Sequence, residues 1–186
     1  CIPNYSEGKD LAKIERIVAP YKNNPKVKLL GVEPDANYNR TVVTVLGDPE
    51  EVKKAVIESI GIATKEIDMN VHKGEHKRMG ATDVVPFLPI QEMTTEECNE
   101  ISREVAKAVW EQFQLPVFLY ESTATAPNRV SLPDIRKGEY EGMAEKLKQP
   151  EWAPDFGERA PHPTAGVTAI GCRMPLIAFN INLATT

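Results

Sequence analysis

This 186-residue chain contains no apolar run that approaches the roughly 20 residues needed to cross a bilayer, so no membrane span is expected. It has no surplus of positive charge either. Its 22 Lys and Arg face 27 Asp and Glu, and a formal net charge of −5 argues against non-specific nucleic-acid binding, which an excess of cations drives. Cysteine is scarce. Cys1, Cys98 and Cys172 are odd in number and lack metal-type spacing, so they are expected as reduced thiols in a cytoplasmic protein. No apolar leader core opens the chain, so no secretory signal is expected. Repeats and low-complexity stretches are also missing.

What remains is an ordinary globular composition, 41% hydrophobic and 26% charged, enough to build a core for one compact domain or one large lobe of a bigger enzyme. A cysteine at the first position raises the option of an N-terminal nucleophile with its own amine as base. No obvious partner for it follows downstream, and a few missing residues explain Cys1 as well.

The periodicity predicts a first helix over residues 6–18, with Leu11, Ile14 and Val18 at helical spacing. Strands are predicted over 26–32 and 40–46, joined by a polar loop at 33–39. Asp48-Pro49-Glu50-Glu51 is a strong helix start, and Val52, Val56, Ile60, Ala63 and Ile67 mark the buried stripe that follows. Thr94-Thr95-Glu96-Glu97 repeats the capping signal, ahead of Cys98, Ile101, Val105, Val109 and Phe113 on one face. Further strands are expected over 84–90, 117–120, 167–171 and 176–183, with a short helix over 139–147 and a Pro-rich loop over 150–163. Consecutive strands without a helix between them favour an α+β fold: a single mixed, largely antiparallel sheet with helices packed on one face. The other face is then left for a partner.

Residues 72–83, His72-Lys73-Gly74-Glu75-His76-Lys77-Arg78-Met79-Gly80-Ala81-Thr82-Asp83, hold the most chemical potential. This is a polar, glycine-containing stretch between a helix and an apolar strand, where catalytic groups usually sit. His76 lies among Lys73, Glu75, Lys77 and Arg78, a cluster whose cations can hold carboxylates while an imidazole moves a proton. Spacing alone leaves this open between an acid–base site and a solvated charged turn. The H-x-x-E-H order of residues 72–76 also matches inverted zinc peptidases. That pattern needs a helix, Gly74 sits in its middle at a cost of about 1 kcal/mol, and no helical Glu ligand follows, so no metal is expected.

The surroundings add a resemblance. H-K-G-E-H-x-R-M-G-A-x-D-V-x-P-F-x-P strongly resembles the formiminotransferase family. So do Ile2-Pro3-Asn4-Tyr5-Ser6-Glu7-Gly8, Asn39-Arg40-Thr41-Val42, Arg136-Lys137-Gly138-Glu139-Tyr140-Glu141, Trp152-Ala153-Pro154-Asp155-Phe156-Gly157 and Ala178-Phe179-Asn180-Ile181-Asn182-Leu183. The resemblance covers essentially the whole chain. It departs at Lys77, where the family usually has Pro.

The resemblance implies folate-dependent transfer of a formimino group from N-formimino-L-glutamate to N5 of tetrahydrofolate, a step of histidine degradation, with tetrahydrofolate as co-substrate. The family's catalytic histidine maps onto His76. Its folate-binding stretch maps onto Gly157-Glu158-Arg159-Ala160-Pro161-His162-Pro163-Thr164-Ala165-Gly166. Arg40 and Arg78 are candidate carboxylate clamps or ordinary surface ion pairs. Asn4, Asn39 and Asp83 are candidates to orient substrate or to cap turns, and Asp35 to support His76. The family's unit has two lobes with folate between their sheets, and this chain resembles the first lobe over residues 1–186. The expected partners are therefore the two substrates and a second lobe, with a homo-oligomer left open. The rival expectation is a non-catalytic folate-binding or subunit-interface lobe.

Overall fold

Two capping signals set the longest helices. The Asp48 carboxylate accepts from the amides of Glu50 and Glu51, and Pro49 takes the first position of α2 (Pro49–Glu66). Thr94 heads α3 (Thr95–Phe113) with a complete capping box: its hydroxyl accepts from the Glu97 amide at 3.2 Å, and the Glu97 carboxylate accepts from the Thr94 amide at 2.8 Å. The stripe Val52, Val56, Ile60, Ala63 and Ile67 is buried throughout. In α3, Cys98, Val105 and Val109 are buried, with Ile101 and Phe113 packed against the same core. Thr94→Ala should cost about 1 kcal/mol, read as a lower urea midpoint at unchanged slope.

The first helix starts later than its periodicity predicts, as α1 (Leu11–Lys22). One oxygen of the Glu7 carboxylate gathers the amides of Gly8, Lys9 and Asp10 at 3.1, 3.0 and 3.0 Å, which holds residues 7–10 in a turn instead. Asp10 then caps the helix, accepting from the Lys13 amide at 3.0 Å. Leu11, expected inside, is exposed, and the buried stripe is Ile14, Ile17, Val18 and Tyr21.

The computed structural model describes residues 1–176. Its sheet holds β1 (Asn4–Tyr5), β2 (Val27–Asp35), β3 (Arg40–Gly47), β4 (Thr82–Phe87), β5 (Val117–Leu119) and β6 (Thr168–Cys172), in the order β2-β3-β1-β4-β6-β5. The β2–β3, β3–β1 and β1–β4 pairs are antiparallel, while β4–β6 and β6–β5 are parallel, so the α+β mixed sheet is as expected. β2 runs on to Asp35 through Pro34, which an edge strand tolerates. β4 ends at Phe87, short of the expected Ile90 and ahead of Pro89, which has no amide to give a ladder. The strand expected over 176–183 falls, past its first residue, outside the described residues.

The helix arrangement needs one refinement. α1, α2 and α3 share one face, over the larger core. Two short helices, α4 (Leu132–Arg136) and α5 (Glu139–Lys148), lie on the opposite face, where Ile135, Met143 and Leu147 pack on Val84, Phe118, Tyr120 and Ala169. They cover only the β4-β6-β5 half. Over β2 and β3, strand alternation buries Thr41, Val43 and Val45 on the α1–α2 side and leaves Arg40, Val42 and Thr44 half-exposed on the other. Among the described residues, no helix is long and apolar enough to cross a membrane.

Candidate active site

The stretch from α2 to β4 is held as a sewn loop, not a solvated turn. His72 is buried, and its Nδ1 accepts from Arg78 Nε at 3.3 Å. That leaves Nε2 to carry the proton and donate to the Asn39 carbonyl at 3.0 Å. The Asn39 side chain donates to the Lys73 carbonyl at 2.8 Å and accepts from the Gly8 amide at 2.9 Å, with a left-handed backbone (φ 49°) that Asn tolerates. Gly74 passes so close that a Cβ there would sit 2.3 Å from the Tyr38 carbonyl oxygen. Residues 72–76 are thus not helical, and both His72 nitrogens are engaged, which removes the inverted-zincin geometry. Among the described residues no group of three His, Cys, Asp or Glu side chains is placed to hold a metal.

Arg78 binds this loop to α5. It is buried and donates to Glu139 at 3.0 Å and to both oxygens of Glu141 at 2.9 and 2.7 Å, while its own carbonyl accepts from the Tyr140 amide at 2.9 Å. Those carboxylates hold its guanidinium more strongly charged than usual, and the Arg78 side chain pulls Glu141 down to about 2. Arg78 therefore clamps carboxylates, but carboxylates of this chain.

His76 stands apart from this bracing. It is partly exposed, and among the described residues its ring nitrogens make no hydrogen bond. The Tyr38 ring meets it edge-on at 6.4 Å between centroids. Burial, followed by Arg40, Arg136, Arg78 and His72, lowers its pKa to about 4, so the imidazole is neutral at pH 7. Arg40 lies over the Tyr38 ring at 5.8 Å. Asp35 accepts from the amides of Asn37 and Tyr38 and serves its own turn. Asn4 donates to the Ile2 carbonyl at 3.0 Å.

Asp83 is placed by a bulge. Tyr5 pairs with Thr82 and Asn4 with Val84, so Asp83 stands opposite no residue of β1. Its buried carboxylate accepts from the Met79 amide at 2.9 Å and from Arg136. Burial pushes this carboxyl up, against the pull of Arg136 and the amide. Arg136 belongs to the site although its spacing gives no hint of it. Only the fold turns the end of a five-residue helix toward β4.

The 157–166 stretch meets the same loop. Its start is set by Gly157 (φ 128°), packed on Pro116. Glu158, Arg159 and Ala160 are exposed, and Pro161 and Pro163 flank His162. The segment then closes tightly: His162 and Gly166 exchange backbone hydrogen bonds, and His162 Nδ1 accepts from the Ala165 amide at 3.0 Å. The Thr164 carbonyl accepts from the Met69 amide at 2.7 Å and the Ala165 carbonyl from the Ala81 amide at 2.9 Å. Backbone bonds thus join two segments some ninety residues apart at the start of β4. Cys1 lies elsewhere: its carbonyl meets the Val45 amide, about 17 Å from Arg40 at roughly 3.4 Å per strand residue.

A family model described as the formiminotransferase domain, N-terminal subdomain, matches residues 1–173. The glutamate formimidoyltransferase of Streptococcus pyogenes serotype M1 is 52% identical over 185 residues, spanning all of this chain and 62% of that protein. The glutamate formimidoyltransferase of Thermoplasma acidophilum is 41% identical, with the same coverage. The formimidoyltransferase-cyclodeaminase of Mus musculus is 45% identical, over 34% of its length. The chain thus spans less than two thirds of each of these relatives. With a family model matched over nearly its whole length and relatives of this identity, the chain belongs to the family of formiminotransferase N-terminal subdomains.

Proposed function

We propose that this chain is one lobe of a glutamate formiminotransferase that moves the formimino group of N-formimino-L-glutamate to N5 of tetrahydrofolate, in histidine degradation and in the reducing cytoplasm. The observation that carries this reading is the His76 imidazole, partly exposed and free of hydrogen bonds among the described residues, on a loop braced through His72, Asn39 and Arg78.

The attacking amine must lose a proton as it adds to the formimino carbon, and the glutamate nitrogen must gain one to leave. A single imidazole does both in turn, as base and then as acid. His76 is the group for this role. Holding the two substrates together lowers the barrier further by removing the entropy of their encounter. In this reading the 157–166 stretch holds folate. Its exposed Glu158, Arg159 and Ala160 and partly exposed His162 face solvent on a segment fixed to the His76 loop. Asn39 positions the loop. Arg40 serves as a carboxylate clamp, whereas Arg78 braces.

The uncovered half of the sheet suits a second lobe. Leu30 and Leu46 are 60% and 41% exposed there, and the relatives extend well past the matched length. That same feature favours the rival reading, a folate-binding or interface lobe that does no chemistry alone. The deciding assay compares the complete protein with residues 1–186 alone, using N-formimino-L-glutamate and tetrahydrofolate. Turnover by the complete protein is expected. Folate binding without turnover in both would leave the binding module.

The pH profile checks the base. Because kcat/KM reports groups of the free enzyme, its acid limb should lie near pH 4, leaving the profile level from neutral pH down to about pH 5. A limb at the ordinary histidine value of 6.5 would mean that burial and the neighbouring arginines do not hold the imidazole down.

A further inference from the structure

Three guanidinium groups, Arg40, Arg136 and Arg78, act on the charge of His76, and they are not equivalent. Arg78 spends its donors on His72, Glu139 and Glu141. Arg40 stands at the start of β3 on the uncovered sheet face, and its Nε is buried with no partner among the described residues. Arg136 ends α4. One terminal nitrogen donates to Asp83, while its Nε is buried and unpartnered too. Asp83 is one carboxylate set against two such cations. A cluster of this kind, in a chain whose overall charge is negative, has more buried cation than anion to pair it.

The placement of Arg136 is fixed from behind. The Lys146 ammonium donates to the carbonyls of Asp134, Ile135 and Lys137 at 2.5, 2.6 and 3.3 Å, tying down the end of α4, and it lies 3.8 Å over the Trp152 ring. The Asp83 carboxylate, set by the β1–β4 bulge, holds the guanidinium from the front. Planar forks held this way match the bidentate geometry of carboxylates, which a flexible ammonium does not.

The geometry points to Arg40 and Arg136 as a carboxylate-binding pair that seats the glutamate moiety of the one-carbon donor beside His76, with Asp83 as the positioning residue for Arg136. This rests on the transferase reading above and adds to it the groups that choose the donor. It has a consequence for proton transfer. After burial, Arg40 and Arg136 are the leading causes that hold His76 unprotonated. A carboxylate bound between them offsets both, so the imidazole takes up a proton more readily once the donor is seated.

The test uses the complete protein and three donors: N-formimino-L-glutamate, its α-monoamide and its γ-monoamide. The parent should reject at least one monoamide by about 10²-fold or more in kcat/KM, because a site built to pair a charged group is left unsatisfied without it. Arg40→Met and Arg136→Met should each raise the donor KM tenfold or more and bring a monoamide ratio close to one, with tetrahydrofolate affinity unchanged. Arg40→Met breaks no hydrogen bond or ion pair of the Arg40 side chain among the described residues, so it remains informative if Arg136→Met folds poorly. A second readout needs no turnover: NMR titration of His76 with and without saturating L-glutamate. In the parent, glutamate should move the midpoint up from near 4, and in Arg40→Met the free midpoint should already be higher and move less. If the protein shows no transfer yet binds glutamate, and Arg40→Met removes that binding, the carboxylate pair stands and the transferase reading falls. Turnover with parental donor discrimination in both variants would overturn the pair.

Discussion

His76→Ala in the complete protein should lower kcat for formimino transfer about 10²- to 10⁴-fold, with tetrahydrofolate affinity and melting temperature close to the parent. The separation of the two effects follows from how the residue is held. His76 is partly exposed and makes no hydrogen bond among the described residues, so truncation leaves no buried group unpaired. His72→Ala is the contrasting case. It would orphan Arg78 Nε and the Asn39 carbonyl at once and loosen the loop, so it should lower stability as well as rate. Steady-state kinetics beside thermal melts distinguish them. If His76→Ala keeps a rate within threefold of the parent, the proton moves elsewhere.

The largest effect on stability is expected from Asp83→Ala, a loss of about 3–5 kcal/mol, because removing one partner of a buried ion pair leaves the other charge uncompensated. The Arg136 side chain is 17% exposed and can turn partly to water, which places the loss toward the lower end of that range. Asp83→Asn should lose less. It keeps an acceptor for the Met79 amide and gives up only the charge paired with Arg136. Urea unfolding of the three proteins measures this, and the expected loss is a large share of the 5–15 kcal/mol typical of a folded domain. A shift below about 1 kcal/mol for Asp83→Ala would mean that Arg136 finds another acceptor.

Much of the scaffold was legible in the chain because its signals are local. The caps at Asp48 and Thr94, the stripes behind them, and the Val- and Thr-rich alternation of β3 each need only a few neighbouring residues to be read. The start of α1 was not legible. There the Glu7 carboxylate competes for the amides of residues 8–10, and a propensity pattern carries no sign of that. The helix over 139–147 was legible as α5, but α4 was not, nor was the placement of both on the second face, for a similar reason. Their cover of Val84, Phe118 and Ala169 is a matter of packing between distant segments.

The site divides along the same line. By itself the sequence singled out residues 72–83 as the stretch with the most chemical potential and, through its motifs, the family the chain resembles, with His76 as the acid–base group that resemblance implies. Spacing could not say whether His72 or His76 is the free imidazole, nor which arginine is spent. The tertiary structure decided both. It engages His72 with Asn39 and Arg78, engages Arg78 with Glu139 and Glu141 from α5, and brings Arg40 and Arg136, ninety-six residues apart in the chain, to act on the charge of one imidazole. The physical reason is that hydrogen-bond partners and like-charge neighbours are set by contacts across the chain, and those contacts fix which side chains remain available to a substrate.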